Sequence, residues 1–456
     1  MNDLNKSNVQ RLIPQNSVKE ELKAIDLASR LSYENINNAV PEELLVESDS
    51  TLVKLVNKII FDAVMQKASD IHFESSGNQK DLRVRFRKDG ILQQYLSIPD
   101  RFRGAIVSRL KIMSQLDITE RRKPQDGKID FSRYAAVDIE LRMAVIPTRD
   151  GLEDVVIRLL TNNEAVSLEY LGLDRKSLDT LRGIIGKPQG LFLVCGPTGS
   201  GKTTTLHSVL AHLNEGATKI WTAEDPIEIT QPGLCQVQVN SKIGWSFAAA
   251  LRSFLRADPD VIMVGEMRDL ETAKIGIEAS LTGHLVLSTL HTNSAAESIV
   301  RLLDWGLDPF SLSDAFIGIL SQRLARKFCE FCRVSYEPEK EELERMAEEY
   351  CAGTDEDPRA KIVEWRRKYS NANGKFSLWC AKGCECCDHR GYSGRMGIYE
   401  LLPADEVVKA LIQKRAVSSY IKTTAISLGM RTLKQDGIGK VLLGLTDMHQ
   451  IHAACG

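Results

Sequence analysis

The chain has 456 residues, of which 43% are hydrophobic and 26% are charged. This length allows two or three domains with separate apolar cores, and the composition excludes a disordered or fibrous protein. The 59 Lys and Arg residues against 61 Asp and Glu residues leave a net charge of -2, so no bulk positive field indicates a nucleic-acid partner.

The apolar runs are short. Runs such as residues 191–195 fall far below the roughly 20 residues that span a bilayer. The first residues, from Met1 to Lys6, lack the basic and then apolar layout of a signal peptide. We therefore expect a cytoplasmic protein.

The N-terminal third divides into two predicted parts. Residues 1–45 are polar and rich in Asn, with one short helix predicted at 17–31, and are expected to form a partly mobile arm. Residues 46–165 are predicted to form an α+β domain, with strands at 71–74, 82–87 and 139–147 and a turn at Lys88-Asp-Gly90. Its first helix has apolar residues at helical spacing: Leu52, Val53, Leu55, Val56, Ile59, Ile60 and Val64.

A helical connector, predicted from 164 to 187 with the linker placed at 166–187, leads to a second domain at 188–326. Its strand candidates alternate with helix-length segments, which predicts a parallel α/β core. These strands are predicted at 190–195, 219–223, 261–264 and 284–289.

The last part contains a cysteine-bearing module at 327–400 and a region of short helices at 401–456. The module includes a highly charged stretch between Tyr336 and Asn373, whose Leu343, Met346 and Tyr350 form only a thin apolar stripe. Such a run predicts a solvated helix.

A glycine-rich loop follows the strand at 190–195 and precedes an amphipathic helix. Glycines let the backbone wrap a polyphosphate, Lys202 reaches its β- and γ-phosphates, and the Thr203 hydroxyl ligates Mg²⁺. The sequence therefore predicts a site for ATP with Mg²⁺. The predicted binding residues are Gly196, Pro197, Thr198, Gly199, Ser200, Gly201, Lys202, Thr203 and Thr204.

Two acidic strand ends accompany this loop. Glu266 follows the apolar run 261–264, while Glu224, Asp225 and Glu228 follow the run at 219–223. One carboxylate is expected to organise the metal and another to orient or deprotonate the attacking water. The pattern thus predicts hydrolysis as well as binding.

Seven of the ten cysteines lie from Cys329 to Cys387. The pairs Cys329/Cys332 and Cys384/Cys387 have the Cys-x-x-Cys spacing of a structural zinc site. Cys380 and Cys386 leave the ligand assignment open, and a reactive dithiol is the alternative interpretation.

Several motifs together resemble the secretion ATPase superfamily, which drives type II secretion and type IV pilus assembly. The resemblance covers about residues 49–451. It rests on the loop above and on the following strings: Ser69-Asp-Ile-His-Phe-Glu74, Arg85-Phe-Arg87-Lys-Asp-Gly90, Arg122-Lys-Pro-Gln-Asp-Gly127, Ala223-Glu-Asp-Pro-Ile-Glu228, Arg256-Ala-Asp-Pro-Asp260, Glu266-Met-Arg-Asp269, Thr282-Gly-His284 and Leu290-His291-Thr-Asn293.

This resemblance implies a RecA-like P-loop core, a PAS-like N-terminal α+β domain and a C-terminal zinc-binding and helical region. It assigns Glu224 to an acidic box that acts on water, Glu266 to the Walker B position, and His284 and His291 to a histidine box. Arg85 and Arg87 are the implied arginines that reach a nucleotide in the same or a neighbouring subunit. We expect only one of them to reach it, because we place them on opposite strand faces.

The resemblance also implies a cytoplasmic homohexamer that acts on a polytopic inner-membrane platform protein, with a membrane-anchored docking protein as a further partner and only peripheral membrane association. Retraction-type members usually lack the cysteine module, which favours assembly or secretion. Many assembly members carry an additional N-terminal docking domain, whereas about 45 residues precede the shared core here. Two alternatives stay open: a conjugation-type DNA translocase and a nucleotide-gated scaffold without turnover.

Overall fold

The computed structural model describes residues 23–33, 50–75, 80–160 and 165–456. The chain divides into two compact units between residues 162 and 163. Most of the predicted N-terminal arm lies outside the described residues. Of its predicted helix at 17–31, the described part belongs to α1 (Ala24–Tyr33).

The first unit is built on one antiparallel sheet with the strand order β3-β2-β1-β6-β5-β4. Helices α1, α2 (Thr51–Met65) and α3 (Arg103–Met113) contribute to the apolar core with the strands. This is the predicted α+β arrangement. The strands are β1 (Asp70–Ser75), β2 (Leu82–Lys88), β3 (Ile91–Ile98), β4 (Gln125–Asp130), β5 (Glu140–Pro147) and β6 (Glu153–Leu160).

Local sequence explains two elements of this unit. Helix α2 begins after Ser50, whose hydroxyl accepts a hydrogen bond from the Val53 amide at 3.2 Å. The hairpin between β2 and β3 turns at Asp89 and Gly90, whose φ angles are 51° and 84°. Both angles are positive, as a two-residue hairpin turn requires.

The second unit contains a seven-stranded sheet with the order β15-β12-β7-β11-β10-β8-β9. All neighbouring pairs are parallel except β12 with β15. A separate two-stranded sheet joins β13 to β14. The strands are β7 (Gly190–Cys195), β8 (Ile220–Glu224), β9 (Cys235–Gln238), β10 (Val261–Val264), β11 (Leu285–Leu290), β12 (Phe316–Phe328), β13 (Arg333–Tyr336), β14 (Leu378–Ala381) and β15 (Tyr392–Pro403).

The predicted parallel α/β core is confirmed. Strands β7, β10 and β11 are buried along their whole length, as parallel strands covered on both faces must be. Strands β12 and β15, of thirteen and twelve residues, were not predicted, and they pair antiparallel from Gly318 with Pro403 to Phe328 with Tyr392. The sheet therefore continues past residue 326, the predicted end of the P-loop core.

Helices cover this sheet and build the C-terminal region. The connector forms a 3-10 turn at Leu168–Tyr170 and an α-helix only in α4, so its α-helical part is shorter than predicted. The helices are α4 (Arg175–Ile185), α5 (Lys202–Leu213), α6 (Phe247–Phe254), α7 (Leu270–Leu281), α8 (Ala295–Asp304), α9 (Pro309–Ala315), α10 (Lys340–Cys351), α11 (Pro358–Tyr369), α12 (Glu406–Gln413), α13 (Ser418–Ser427), α14 (Leu433–Leu442) and α15 (Met448–Cys455).

The expectation of a solvated helix between Tyr336 and Asn373 is wrong. The segment forms two helices, α10 and α11, which pack against each other and share an apolar cluster with α14. Leu343, Met346 and Trp365 are all buried in that cluster. The narrow apolar stripe of this segment is enough to hold both helices against the fold, because Trp365 buries a large surface.

Candidate functional site

The glycine-rich loop joins the end of β7 to the start of α5. Gly196, Gly199 and Gly201 have φ angles of 153°, 78° and 87°, a region that favours glycine. At Gly196, a Cβ atom would lie 2.6 Å from both the Gln322 carbonyl oxygen and Ser200 Oγ. Glycine is therefore required there by close packing as well as by backbone angle.

Lys202 is held against this loop. Its Nζ donates to the carbonyl oxygens of Gly196 at 2.9 Å and Pro197 at 3.1 Å, and the residue is only 9% exposed. Burial lowers the pKa of this ammonium group, whereas the nearby Glu266 carboxylate raises it. A cation that is buried beside carbonyl groups is well placed to bind an anion at the loop.

The polar groups of the loop can accommodate a phosphate. Ser200 Oγ is buried and makes no hydrogen bond to any described residue, and the first amides of α5 lie at a helix N-terminus. Among the other predicted binding residues, Gly201, Thr203 and Thr204 are half-buried, and Pro197, Thr198 and Gly199 are exposed. Thr203 is the second residue of α5, where its hydroxyl is available to Mg²⁺.

Glu266 follows β10 at the carboxyl edge of the same sheet. Its Oε1 accepts from Arg268, and its Oε2 accepts from His291 Nε2 at 3.1 Å. Burial raises the pKa of Glu266. The Arg268 hydrogen bond and the charges of Arg268 and His291 lower it by a larger amount, so the net shift is downward. The ionised carboxylate and Lys202 are electrostatic neighbours.

Glu224 is the last residue of β8, as predicted, but its side chain is buried. It is 3% exposed, and its carboxylate accepts hydrogen bonds from three side chains of the second unit. Burial raises its pKa, but the hydrogen bonds from His207, Thr222 and Gln236 lower it more. Glu224 therefore lies inside the fold, whereas Asp225 and Glu228 of the same motif are exposed.

The two predicted histidines lie at opposite ends of β11. His291 follows the strand and contacts Glu266. His284 precedes it, where its Nδ1 lies 2.9 Å from the Ala279 carbonyl oxygen. At about 3.3 Å per residue the two are roughly 20 Å apart. Because the loop of residues 196–201 lies at the His291 edge, His284 does not reach a phosphate bound in its own chain.

Arg85 and Arg87 lie on the same face of β2, because residues two apart on a strand point the same way. The expectation that they occupy opposite faces is wrong. Arg85 pairs with Glu74, and Arg87 Nε lies 3.6 Å from an oxygen of Asp70 on the neighbouring strand β1. Both arginines are therefore engaged with carboxylates within the first unit.

Sequence reasoning missed two residues of β12 that contact the loop region. Gln322 Nε2 donates to the Ser200 carbonyl oxygen at 2.6 Å, and Arg323 donates to the Asn293 carbonyl oxygen at 2.9 Å. The charge of Arg323 also acts on the pKa of Lys202. The available signal was the polar run Ser321-Gln322-Arg323 directly after the apolar residues 316–320.

The four predicted zinc ligands meet in one cluster. The Sγ atoms of Cys329, Cys332, Cys384 and Cys387 all lie within 4.8 Å of one another, and three of their separations are 3.8 Å. Four sulfurs at about 2.3 Å from a tetrahedral zinc ion are about 3.8 Å apart. Cys380 and Cys386 are exposed and outside the cluster, so geometry favours the predicted set.

The backbone stabilises a thiolate in this cluster. The amides of Cys384 and Gly391 lie 3.3 and 3.2 Å from Cys387 Sγ. Although burial raises the pKa of Cys387, these amides and the Cys384 and Cys332 thiols lower it to about 6, whereas burial raises the pKa of Cys329 and Cys332. Zinc takes four thiolates in tetrahedral geometry, so the fit of this donor set rests on the sulfur separations.

Comparison with known proteins identifies relatives over most of the chain. Residues 46–453 match the family described as Type II/IV secretion system protein. The chain is 45% identical over 415 residues to the type IV pilus assembly ATPase PilB of Myxococcus xanthus. It is 41% identical over 446 residues to PilB of Thermus thermophilus, and 41% identical over 416 residues to the type II secretion system ATPase E of Vibrio cholerae.

These matches cover 90%, 98% and 90% of this chain, but 69%, 47% and 76% of the respective relatives. The solved structure of the pilus retraction motor PilT with bound ADP is 26% identical, with a TM-score of 0.57 over 87% of this chain and 96% of that one. None of the described helices is long and apolar enough to cross a membrane.

Proposed function

This chain belongs to the family of type II/IV secretion system proteins, and from that premise we propose that it is an ATP-hydrolysing motor that drives assembly of a type IV pilus or of a type II secretion pseudopilus. One observation carries the proposal. Lys202 is held by the loop carbonyls while the ionised Glu266 lies nearby, in a chain 45% identical to a pilus assembly ATPase. The proposed binding and hydrolysis residues thus lie at one sheet edge.

Each residue of this edge has a proposed role. Lys202 and the amides at the start of α5 bind the phosphates, and Thr203 and Glu266 hold Mg²⁺, which neutralises phosphate charge when bound. His291 and Arg268 fix the orientation of Glu266. Glu224 orients the attacking water, although its inward hydrogen bonds mean that it does so from within the fold.

We propose that the active form is a homohexamer. Arg85 and Arg87 lie on one face of β2, so a single approach presents both to a nucleotide. Their pairing with Glu74 and Asp70 means that those ion pairs exchange when an arginine reaches a phosphate. A cation added at the transition state contributes orders of magnitude in rate. His284 is proposed to couple sites in neighbouring subunits.

The proposed partner is a polytopic inner-membrane platform protein, with a membrane-anchored protein assisting docking. The motor works in the cytoplasm and is recruited to the inner membrane. We further propose that the four-cysteine cluster holds one Zn²⁺, which ties β12 to β15 around the excursion of α10 and α11.

Purified protein should release phosphate from ATP in a Mg²⁺-dependent reaction. Lys202→Ala is expected to lose nucleotide binding, because it removes the buried cation of the loop. Tight ATP binding without phosphate release, in every oligomeric state and with the membrane partner present, would contradict the motor proposal and favour a nucleotide-gated scaffold.

Partner identity separates the two assembly systems. Affinity purification of the tagged protein from its host membrane fraction should recover a polytopic membrane protein together with pilus or secretion components. Stimulation of hydrolysis by DNA, lost as salt is raised, would instead indicate a DNA-translocating enzyme.

A further inference from the structure

The Glu224 carboxylate is bound from three directions inside the second unit. Its Oε1 accepts from Thr222 Oγ1 at 2.7 Å and from Gln236 Nε2 at 2.9 Å. Its Oε2 accepts from His207 Nε2 at 3.1 Å. His207 belongs to α5, the helix that begins at Lys202, and its side chain is fully buried.

A neighbouring amide fixes the protonation of His207. Gln231 Nε2 lies 2.9 Å from the His207 carbonyl oxygen and 2.8 Å from His207 Nδ1. A carbonyl oxygen only accepts, so the Gln231 atom between the two must be the donating NH₂ group. Nδ1 therefore accepts and carries no proton. The ring is neutral, with its single proton on Nε2, and that proton is donated to Glu224.

We propose that His207 is a positioning residue for ATP hydrolysis, acting through Glu224; this rests on the proposed function above. The imidazole holds Glu224 as a carboxylate in one orientation. The imidazole fills one acceptor position of Oε2, and Thr222 and Gln236 fill both positions of Oε1. Three of the roughly four acceptor positions of the carboxylate are therefore filled. One acceptor position, on Oε2, is left for a water O–H.

The same contact links two parts of the site. His207 is five residues after Lys202, which is about 7.5 Å along the helix axis. A shift of α5 on phosphate binding is therefore transmitted to the end of β8 through one hydrogen bond. Gln231 and Gln236 extend the link to the segment that leads into β9.

Three variants test this role. His207→Leu fills the buried position with an apolar side chain and removes the donor, whereas His207→Gln retains a donor for Glu224 and an acceptor for Gln231. His212→Leu, at an exposed position on the same helix, is the matched control. We expect His207→Leu to lower kcat at least about 10-fold with the Kd for a fluorescent ATP analogue changed less than about threefold. His207→Gln should recover most of the kcat.

A double-mutant cycle with Glu224→Gln decides whether His207 acts through Glu224. If it does, adding His207→Leu to Glu224→Gln lowers kcat no further. Full additivity of the two losses, or equal kcat values for the Leu and Gln variants, would overturn the inference. An inactive wild-type protein would instead contradict the proposed function. Active wild type with a fully active His207→Leu variant rejects only the positioning role.

Discussion

His291 Nε2 lies 3.1 Å from Glu266 Oε2, and this hydrogen bond joins the ends of the neighbouring parallel strands β11 and β10. The contact places a donor from one strand on the proposed metal-side carboxylate of the next. It also explains why only the second histidine of the predicted box is near the phosphate loop, since the first precedes β11 rather than following it.

The first prediction concerns this pair. Glu266→Gln should reduce kcat at least about 100-fold while ATP binding persists, because the neutral amide no longer supplies the charge on the metal side. His291→Ala should lower kcat by about 10-fold, since Arg268 still holds the carboxylate. Steady-state kinetics and equilibrium binding of an ATP analogue measure both effects. His449→Ala changes an exposed residue of α15 and is the control. Equal losses in all three variants would contradict the assignment.

A second prediction follows from the lowered pKa of Glu224, whose ordinary value is 4.5. A carboxyl group with a depressed pKa in the folded state stabilises the fold above its unfolded pKa, and this stabilisation is lost as pH falls through the folded pKa. Glu224→Gln should therefore lower the free energy of unfolding by about 1.5–3 kcal/mol at pH 7. The difference from wild type should shrink once pH falls below about 4.5.

Thermal unfolding measured from pH 7 to pH 3.5 tests this. Glu228→Gln, an exposed change in the same motif, should stay within about 0.5 kcal/mol of wild type throughout. A Glu224→Gln deficit that widens on acidification would reverse the sign and refute the assignment of an ionised, hydrogen-bonded carboxylate.

The third prediction concerns the charged excursion of α10 and α11. Trp365 is 3% exposed, so Trp365→Ala should destabilise the C-terminal region by about 3–5 kcal/mol through lost burial and a cavity. Val363→Ala, at a 67% exposed position on the same helix, should have little effect. Denaturant unfolding of both variants measures the contrast, and two equally small effects would restore the view of a solvated segment.

The fourth prediction concerns the cysteine cluster. Protein purified without chelators should contain about one zinc per chain, and Cys332→Ser should lose the metal and unfold at a lower temperature because the site loses one of its four ligands. Cys386→Ser is the control, since this exposed thiol lies outside the cluster. Elemental analysis with thiol titration measures both. The zinc site would be excluded if the folded wild-type protein contained no metal and all four cluster thiols titrated in addition to the exposed thiols outside the cluster.

Much of the fold was readable from local pattern. The buried runs at β7, β10 and β11 and the amphipathic α2 follow directly from hydrophobic periodicity, and the turn at Asp89 and Gly90 follows from residue type. Strands β3, β4 and β6 of the first unit were missed, as were β9 and β12 to β15 of the second. The pairing of β15 with β12 spans 63 intervening residues, from 329 to 391, and no local signal specifies such a pairing.

The sequence by itself determined the phosphate loop, the family and the four cysteines, because each depends on residue identity at fixed spacing along a short segment. The tertiary structure alone decided which side chains meet: His207 with Glu224, His291 with Glu266, and Gln322 with Ser200. Direction and burial of a side chain depend on neighbours that are distant in sequence. For that reason the motif predicted the position of Glu224 at the end of β8 but not the hydrogen-bond network around its carboxylate.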